Sequence, residues 1–183
     1  MKQNNLEECF YTDSDVMVLT NLDNHIFNKT SYSKPSDQEN YRWSYSGHTS
    51  YWKIEDLDKF CDFCIEIYKT KTDLIPKIEY HKTSGKLGGI CDMTLLYLYG
   101  KDKDFDNICD INNNSCFDHQ ICSGDNVNRN EYEVFNGIKK LEKKDDNLYF
   151  KHKEHGSIKA NSLHFQGGYK SYVNQIKNLL LNK

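Results

Sequence analysis

The chain has 183 residues, enough for one hydrophobic core with little room for a second. Its 24 Lys and Arg against 27 Asp and Glu leave a formal net charge of −3, without the basic excess of a dedicated nucleic-acid binder. No apolar run approaches the roughly 20 residues needed to span a bilayer, and the polar opening from Met1 to Glu8 cannot serve as a signal-peptide apolar segment. The expectation is a soluble, cytoplasmic domain without a transmembrane segment. A Golgi or membrane-anchored setting would need an anchor ahead of Met1.

Taken in chain order, Phe10 to Leu19 is an apolar run broken by Thr12-Asp-Ser-Asp15, and predicts a strand whose end carries acids. Residues 21–50 are polar, rich in Asn, Ser and Tyr and poorly periodic, which predicts a long surface segment. From about 54 to 71, Leu57, Phe60, Cys61, Cys64 and Tyr68 recur at helical spacing. Cys61 and Cys64 form a C-x-x-C, yet no second C-x-x-C or C-x-x-H pair exists to complete a zinc site. Both sulfurs are therefore expected to pack on the apolar face of that helix as small hydrophobes. Seven cysteines in a chain this long do not call for disulfide staples.

Asp92 to Tyr99 predicts a second, well-buried helix, preceded by Gly88-Gly89 and stopped by Gly100. Lys101 to Arg129, heavy in Asp and Asn, reads as loop. Asn136-Gly137 after Tyr132-Glu-Val-Phe predicts a tight turn between strands, and Lys143-Lys-Asp-Asp-Asn147 another. A last strand is expected from Ile158 to Phe165, ending at Gly167-Gly168. A terminal helix follows with Tyr172, Val173, Ile176, Leu179 and Leu180 on one face. The fold class is α/β or α+β with a mixed sheet.

Two motifs carry chemistry. Asp13 and Asp15, if in a strand, point to one side while Ser14 points away. Two convergent carboxylates favour a hard cation that also bridges to phosphate. The second motif is His164-Phe-Gln-Gly167-Gly-Tyr-Lys170. A neutral imidazole can add a third ligand and shifts preference toward manganese over magnesium. Gly167 permits a positive φ or close approach to a phosphate, and Lys170 offers a compact positive charge. Taken singly, each motif is matched by a bland alternative: exposed acids at a strand end, and a glycine turn after a packed histidine.

Together, D-x-D followed by H-x-x-G-x-x-K resembles the metal- and diphosphate-binding signature of GT-A glycosyltransferases. The pattern is most similar to family 8, the galactosyl-, glucosyl- and glycogenin-like enzymes. Phe10-Tyr-Thr-Asp-Ser-Asp-Val-Met-Val-Leu19 is similar to the strand that delivers the D-x-D in those enzymes, and Ser46-Gly47-His48 to the segment bordering the donor sugar. After Lys170 the family pattern continues with Pro-Trp, where this chain has Ser171-Tyr172. The resemblance implies one GT-A-like (Rossmann-like) domain over residues 1–183, with a mixed sheet flanked by helices. It implies Mn2+ or Mg2+ on Asp13, Asp15 and His164, with Asp13 also toward the ribose. It further implies a nucleotide-sugar diphosphate held by Gly167 and Lys170, and donor sugar or glycan acceptor near Ser46, Gly47, His48 and Trp52. In that fold the residues before the D-x-D build the nucleoside-binding strands, and here 12 residues precede Asp13. The expectation is therefore an N-terminally truncated domain whose missing half lies ahead of Met1, on a partner chain, or is lost.

An inverting transferase needs a carboxylate to take the acceptor proton. Asp92, opening the second helix, is the candidate, and its structural rival is an N-cap role with the Thr94 and Leu95 N–H groups. Trp43, Tyr45, Tyr51 and Trp52 offer rings for sugar C–H faces, or for packing beneath the following helix. Asn28-Lys-Thr30 and Asn113-Asn-Ser115 match the glycosylation pattern by chance in a chain this rich in Asn. Two other functions are open. One is a non-catalytic GT-A-like relic or subunit that binds sugar or a partner. The other is a metal-dependent phosphohydrolase recruiting His81, His119, His152 or His155 to the metal.

Overall fold

A computed structural model describes residues 6–85 and 89–181, so Met1 and Gly88 lie outside the described residues. Among the described residues the fold is mixed α/β, with four α-helices and several sheets, divided into two compact units. The first comprises residues up to Tyr11 together with Phe27–Asp106, and the second Thr12–Ile26 with Asn107–Lys183. Among the described residues, no helix is long and apolar enough to cross a membrane.

In the first unit, β1 (Glu8–Thr12), β3 (Ser31–Ser33), β4 (Ser46–Lys53) and β5 (Asp106–Asn107) form a sheet in the order β1-β4-β3-β5. The polar stretch expected at the surface instead supplies its centre. Thr30, Ser31, Tyr32 and Ser33 are fully or almost fully buried, and so are Thr49 and Ser50. Small hydroxyl residues can go inside when hydrogen-bonded. Thr30 does so, donating to Asp56 Oδ2 at 2.6 Å and accepting from the Lys53 N–H at 3.1 Å. The aromatic neighbours supply the apolar area: Trp52 stacks on Tyr32 and on Phe60.

Helix α1 (Ile54–Thr70) begins with Glu55 and Asp56 in its first turn, where acids suit the dipole, and ends at Lys71 in the left-handed region. Its inward face is Ile54, Leu57, Phe60, Phe63, Cys64 and Ile67. Cys61 and Tyr68 are exposed, a correction to the expected face, because Phe63 and Ile67 occupy the core side. Helix α2 (Ile75–Ser84) starts on Pro76, which suits a first turn that needs no N–H there. Helix α3 (Asp92–Gly100) is apolar on all sides and correspondingly buried. It runs through Gly100, because a methyl group there would overlap the Tyr32 hydroxyl. These three helices follow one another instead of alternating with strands.

In the second unit, β2 (Val16–Val18) pairs with β12 (Ser162–His164). A separate sheet has the order β6-β11-β10-β9, from Ser115–Cys116, Gly156–Ala160, Asn147–His152 and Leu141–Lys144. The pairs β9–β10 and β10–β11 are antiparallel, and β6 joins β11 in parallel. The strand expected from Ile158 to Phe165 breaks at Asn161. That residue donates its N–H to Cys116 O and accepts from Leu19 N–H, so the chain passes from one sheet to the other.

The Asn136-Gly137 turn forms as expected, both residues having positive φ, between β7 (Val134–Phe135) and β8 (Ile138–Lys139). The turn after Lys143-Lys144 also forms, at Asp145. The Asp/Asn-rich stretch read as loop is loop and turn apart from the two-residue strands β5 and β6, and its buried parts are held by side-chain hydrogen bonds. Asn126 donates to the Cys109 and Phe117 carbonyls and accepts from His119 N–H, while Glu131 Oε2 accepts the N–H groups of residues 126–128. The core gathers Cys116, Ile121, Leu148, Phe150, Ile158, Leu163 and Phe165, with Ile176 from α4 (Val173–Leu181).

Candidate active site

The β2–β12 ladder determines where the acids go. Its register sets His164 opposite Val16, and Phe165 N–H donates to Asp15 O at 2.9 Å. Asp13, Ser14 and Asp15 are not in a strand. They form the turn between β1 and β2, closed by Val16 N–H onto Asp13 O at 3.2 Å. Strand alternation therefore does not orient the two carboxylates. What the turn does is bring Asp15 to the end of β12, with its Oδ1 3.7 Å from His164 Nε2.

The opposite end of the second motif returns to the same carboxylate. Gly167 has φ +60 and open space where a Cβ would stand, and it starts a 3-10 segment to Tyr172. One turn on, Lys170 Nζ lies 3.2 Å from Asp15 Oδ2. Asp15, His164 and Lys170 are thus brought together from opposite ends of the sequence. Asp15 pairs with both His164 and Lys170, and Asp13 supplies the turn carbonyl.

His164 is held in one orientation. It is 7 % exposed, its N–H donates to Asp118 Oδ2 at 3.0 Å, and its carbonyl accepts from Ile121 N–H at 3.0 Å. Its Nδ1 lies 2.6 Å from the carbonyl oxygen of His119. A carbonyl only accepts, so Nδ1 carries a hydrogen, and Nε2, which faces Asp15, offers a lone pair whenever the ring is neutral. That is the tautomer a metal-binding imidazole adopts, its other nitrogen fixed by a backbone carbonyl. Two electron-rich atoms facing each other at this separation suit an intervening cation. Among the described residues, no three His, Cys, Asp or Glu side chains converge into a complete metal centre.

The remaining expected residues belong to the first unit. Asp92 is exposed as the first residue of α3. The N-cap position is occupied by Cys91, whose carbonyl takes the Thr94 and Leu95 N–H groups, so the expected Asp92 cap is not formed. Ser46 and His48 are buried and joined through Oγ and Nδ1 at 2.8 Å. Gly47 packs under Leu96, where a Cβ would sit 3.3 Å from its Cδ1. Trp52 is 5 % exposed within the aromatic core and presents no surface for a sugar, because packing on Tyr32 and Phe60 takes up its ring. Of the three other rings named with it, Trp43 and Tyr45 are half-buried, both against Tyr97 of α3.

No known protein family, curated protein or solved structure matches this chain. The functional reading therefore rests on the site itself.

Sequence reasoning missed Asp118 and Lys139, and it offered His119 only as a side-chain metal ligand, whereas its backbone carbonyl is what meets His164. Lys139 is fully buried, its Nζ 2.5 Å from Asp118 Oδ1. Lysine is among the least buried residue types, so the sequence carries no signal for a buried one. The Asn136-Gly137 turn announces the hairpin but not which of its faces is covered.

Proposed function

We propose that this chain is a metal-dependent glycosyltransferase of the GT-A type, moving a sugar from a UDP- or GDP-sugar to a hydroxyl of a glycan acceptor. The observation that carries this reading is the meeting of Asp15, His164 and Lys170, three groups predicted from two motifs about 150 residues apart.

The donor set fits Mn2+ or Mg2+: one carboxylate and one neutral imidazole whose Nε2 is oriented for a ligand. Such ions keep much of their coordination for water and substrate phosphates, so two converging side chains suffice for a site completed by the donor. When bound, the cation would offset the negative charge that gathers on the nucleoside diphosphate as the glycosidic bond breaks. Lys170, 59 % exposed and paired with Asp15, is placed to exchange that carboxylate for a phosphate oxygen. Gly167, with its open Cβ position, lets the backbone approach the same group.

A phosphohydrolase would need further side chains on the metal. His119 contributes its carbonyl to His164, and the rings of His152 and His155 pack on each other. The proposal is tested by calorimetric titration of Mn2+ with UDP- and GDP-sugars, using Asp15→Ala and His164→Ala as controls. Manganese-dependent binding of one nucleotide sugar, lost in both variants, is the expected result. Absence of binding by the folded wild-type chain would overturn it.

A further inference from the structure

We infer that the buried pair Asp118–Lys139 acts as a positioning device for His164, fixing its tautomer and aim. Its consequence for cation binding rests on the glycosyltransferase reading above. The observation behind it is how fully one short segment grips the histidine. Residues 118–121 take its N–H on Asp118 Oδ2, its Nδ1–H on His119 O, and supply Ile121 N–H to its carbonyl.

Lys139 in turn grips that segment twice. Its backbone N–H donates to Ile121 O at 2.8 Å, and its Nζ donates to Asp118 Oδ1 at 2.5 Å and Gln120 O at 2.9 Å. A third donation, to Asn126 Oδ1 at 3.1 Å, ties in the residue that also accepts His119 N–H. The ammonium lies 5.1 Å from the Tyr132 ring centre and 5.4 Å from that of Phe150. Asp118 N–H donates to Ser162 Oγ, so the segment is also fastened to β12 itself.

Asp118 and Lys139 are both wholly inaccessible. Stability alone does not ask for such a pair, since apolar residues of similar volume often serve a fold as well or better. A buried ion pair does set direction. Asp118 Oδ1 is held by the lysine, so Oδ2 faces His164 N–H, and the His119 carbonyl beside it must meet Nδ1. The histidine is left one orientation, with Nε2 toward Asp15.

The test uses the full chain with Mn2+ alone as probe and nitrogen NMR of the His164 ring without metal. The variants are Asp118→Asn/Lys139→Met, which removes both charges together, and Lys139→Met alone. In the wild type, His164 should be the Nδ1–H tautomer. In whichever variant stays folded, a mixture of tautomers should appear, and Mn2+ affinity should fall about tenfold to a hundredfold, as when an outer partner of a ligand is lost. An unchanged tautomer and unchanged Mn2+ affinity in a folded variant would overturn the inference. So would a wild-type His164 found as Nε2–H, a result obtainable even if both variants fail to fold. If the wild type binds no Mn2+ while the tautomer still shifts in the variants, positioning stands and the metal reading fails, so the two are separable.

Discussion

His152 shows how a single side chain ties this molecule to pH. It is 5 % exposed, its ring edge-on to Tyr132 and packed against His155. Its Nδ1 accepts the backbone N–H groups of Glu154 and His155, both at 3.1 Å. Burial, and then the neighbouring His155, push its pKa below the ordinary 6.5. Its folded value is depressed, so its contribution is intact above pH 6.5. As pH falls through that value the unfolded chain takes up a proton that the folded one resists, and stability is lost. The slope from one such group is at most about 1.4 kcal/mol per pH unit. Thermal unfolding between pH 7.5 and 5.5 should therefore show a smaller drop in midpoint for His152→Gln than for wild type. Equal drops would assign the acid sensitivity elsewhere, His25 being another histidine pushed downward by burial. Residue-scale legibility followed chemistry. Asp15, His164 and Lys170 were readable because their types and spacing have few other uses together. Asp118 and Lys139 were not, because their meaning exists only once they are buried against each other.

At the scale of elements, α1 and α4 were legible from helical recurrence of apolar residues, α3 from a continuous apolar run flanked by glycines, and the β7–β8 hairpin from Asn136-Gly137. Strands β3 and β4 were not. Their Ser and Thr look solvated in a sequence, and only Tyr32, Tyr51 and Trp52 reveal how much apolar area the segment buries. The crossing of α3 over β3 depends on Gly100, where any side chain would enter the space of the Tyr32 ring and hydroxyl. Gly100→Ala is expected to destabilise the protein by about 1–3 kcal/mol, as overpacking does, despite the better helix propensity of alanine. Adding Tyr32→Phe, which removes the overlapping oxygen, should recover part of that loss. Denaturant unfolding of the two single variants and the double variant measures the coupling. Strict additivity would show that the backbone shifts instead of the ring.

For the whole molecule, chain order and spatial order disagree. Residues 12–26 belong with 107–183, although 80 residues of the first unit intervene, from Phe27 to Asp106. No contiguous stretch of sequence contains the second unit alone, which is why a left-to-right reading found one domain. A fragment of residues 107–183 would lack β2, the partner of β12, and with it Met17 and Leu19 from the edge of the core. Such a fragment should show no cooperative unfolding by circular dichroism, and a peptide of residues 12–26 added in trans should restore it. Cooperative unfolding of the bare fragment would mean that the β12 ladder is dispensable to the core.

The four-stranded sheet of the second unit has two free borders, and neither invites company. On one side β6 is two residues long. On the other β9 is Leu141-Glu142-Lys143-Lys144, with Lys144 near Glu142 and Lys143 Nζ bound to the Leu180 carbonyl. A strand from another copy would have to strip water from those charges before it could pair. The composition, rich in Asn and with 13 Tyr, is of the kind that drives disordered chains into cross-β fibres. Here those residues go into turns, ring contacts and internal hydrogen bonds, and the sheet they surround offers another copy only a two-residue border and a charged one.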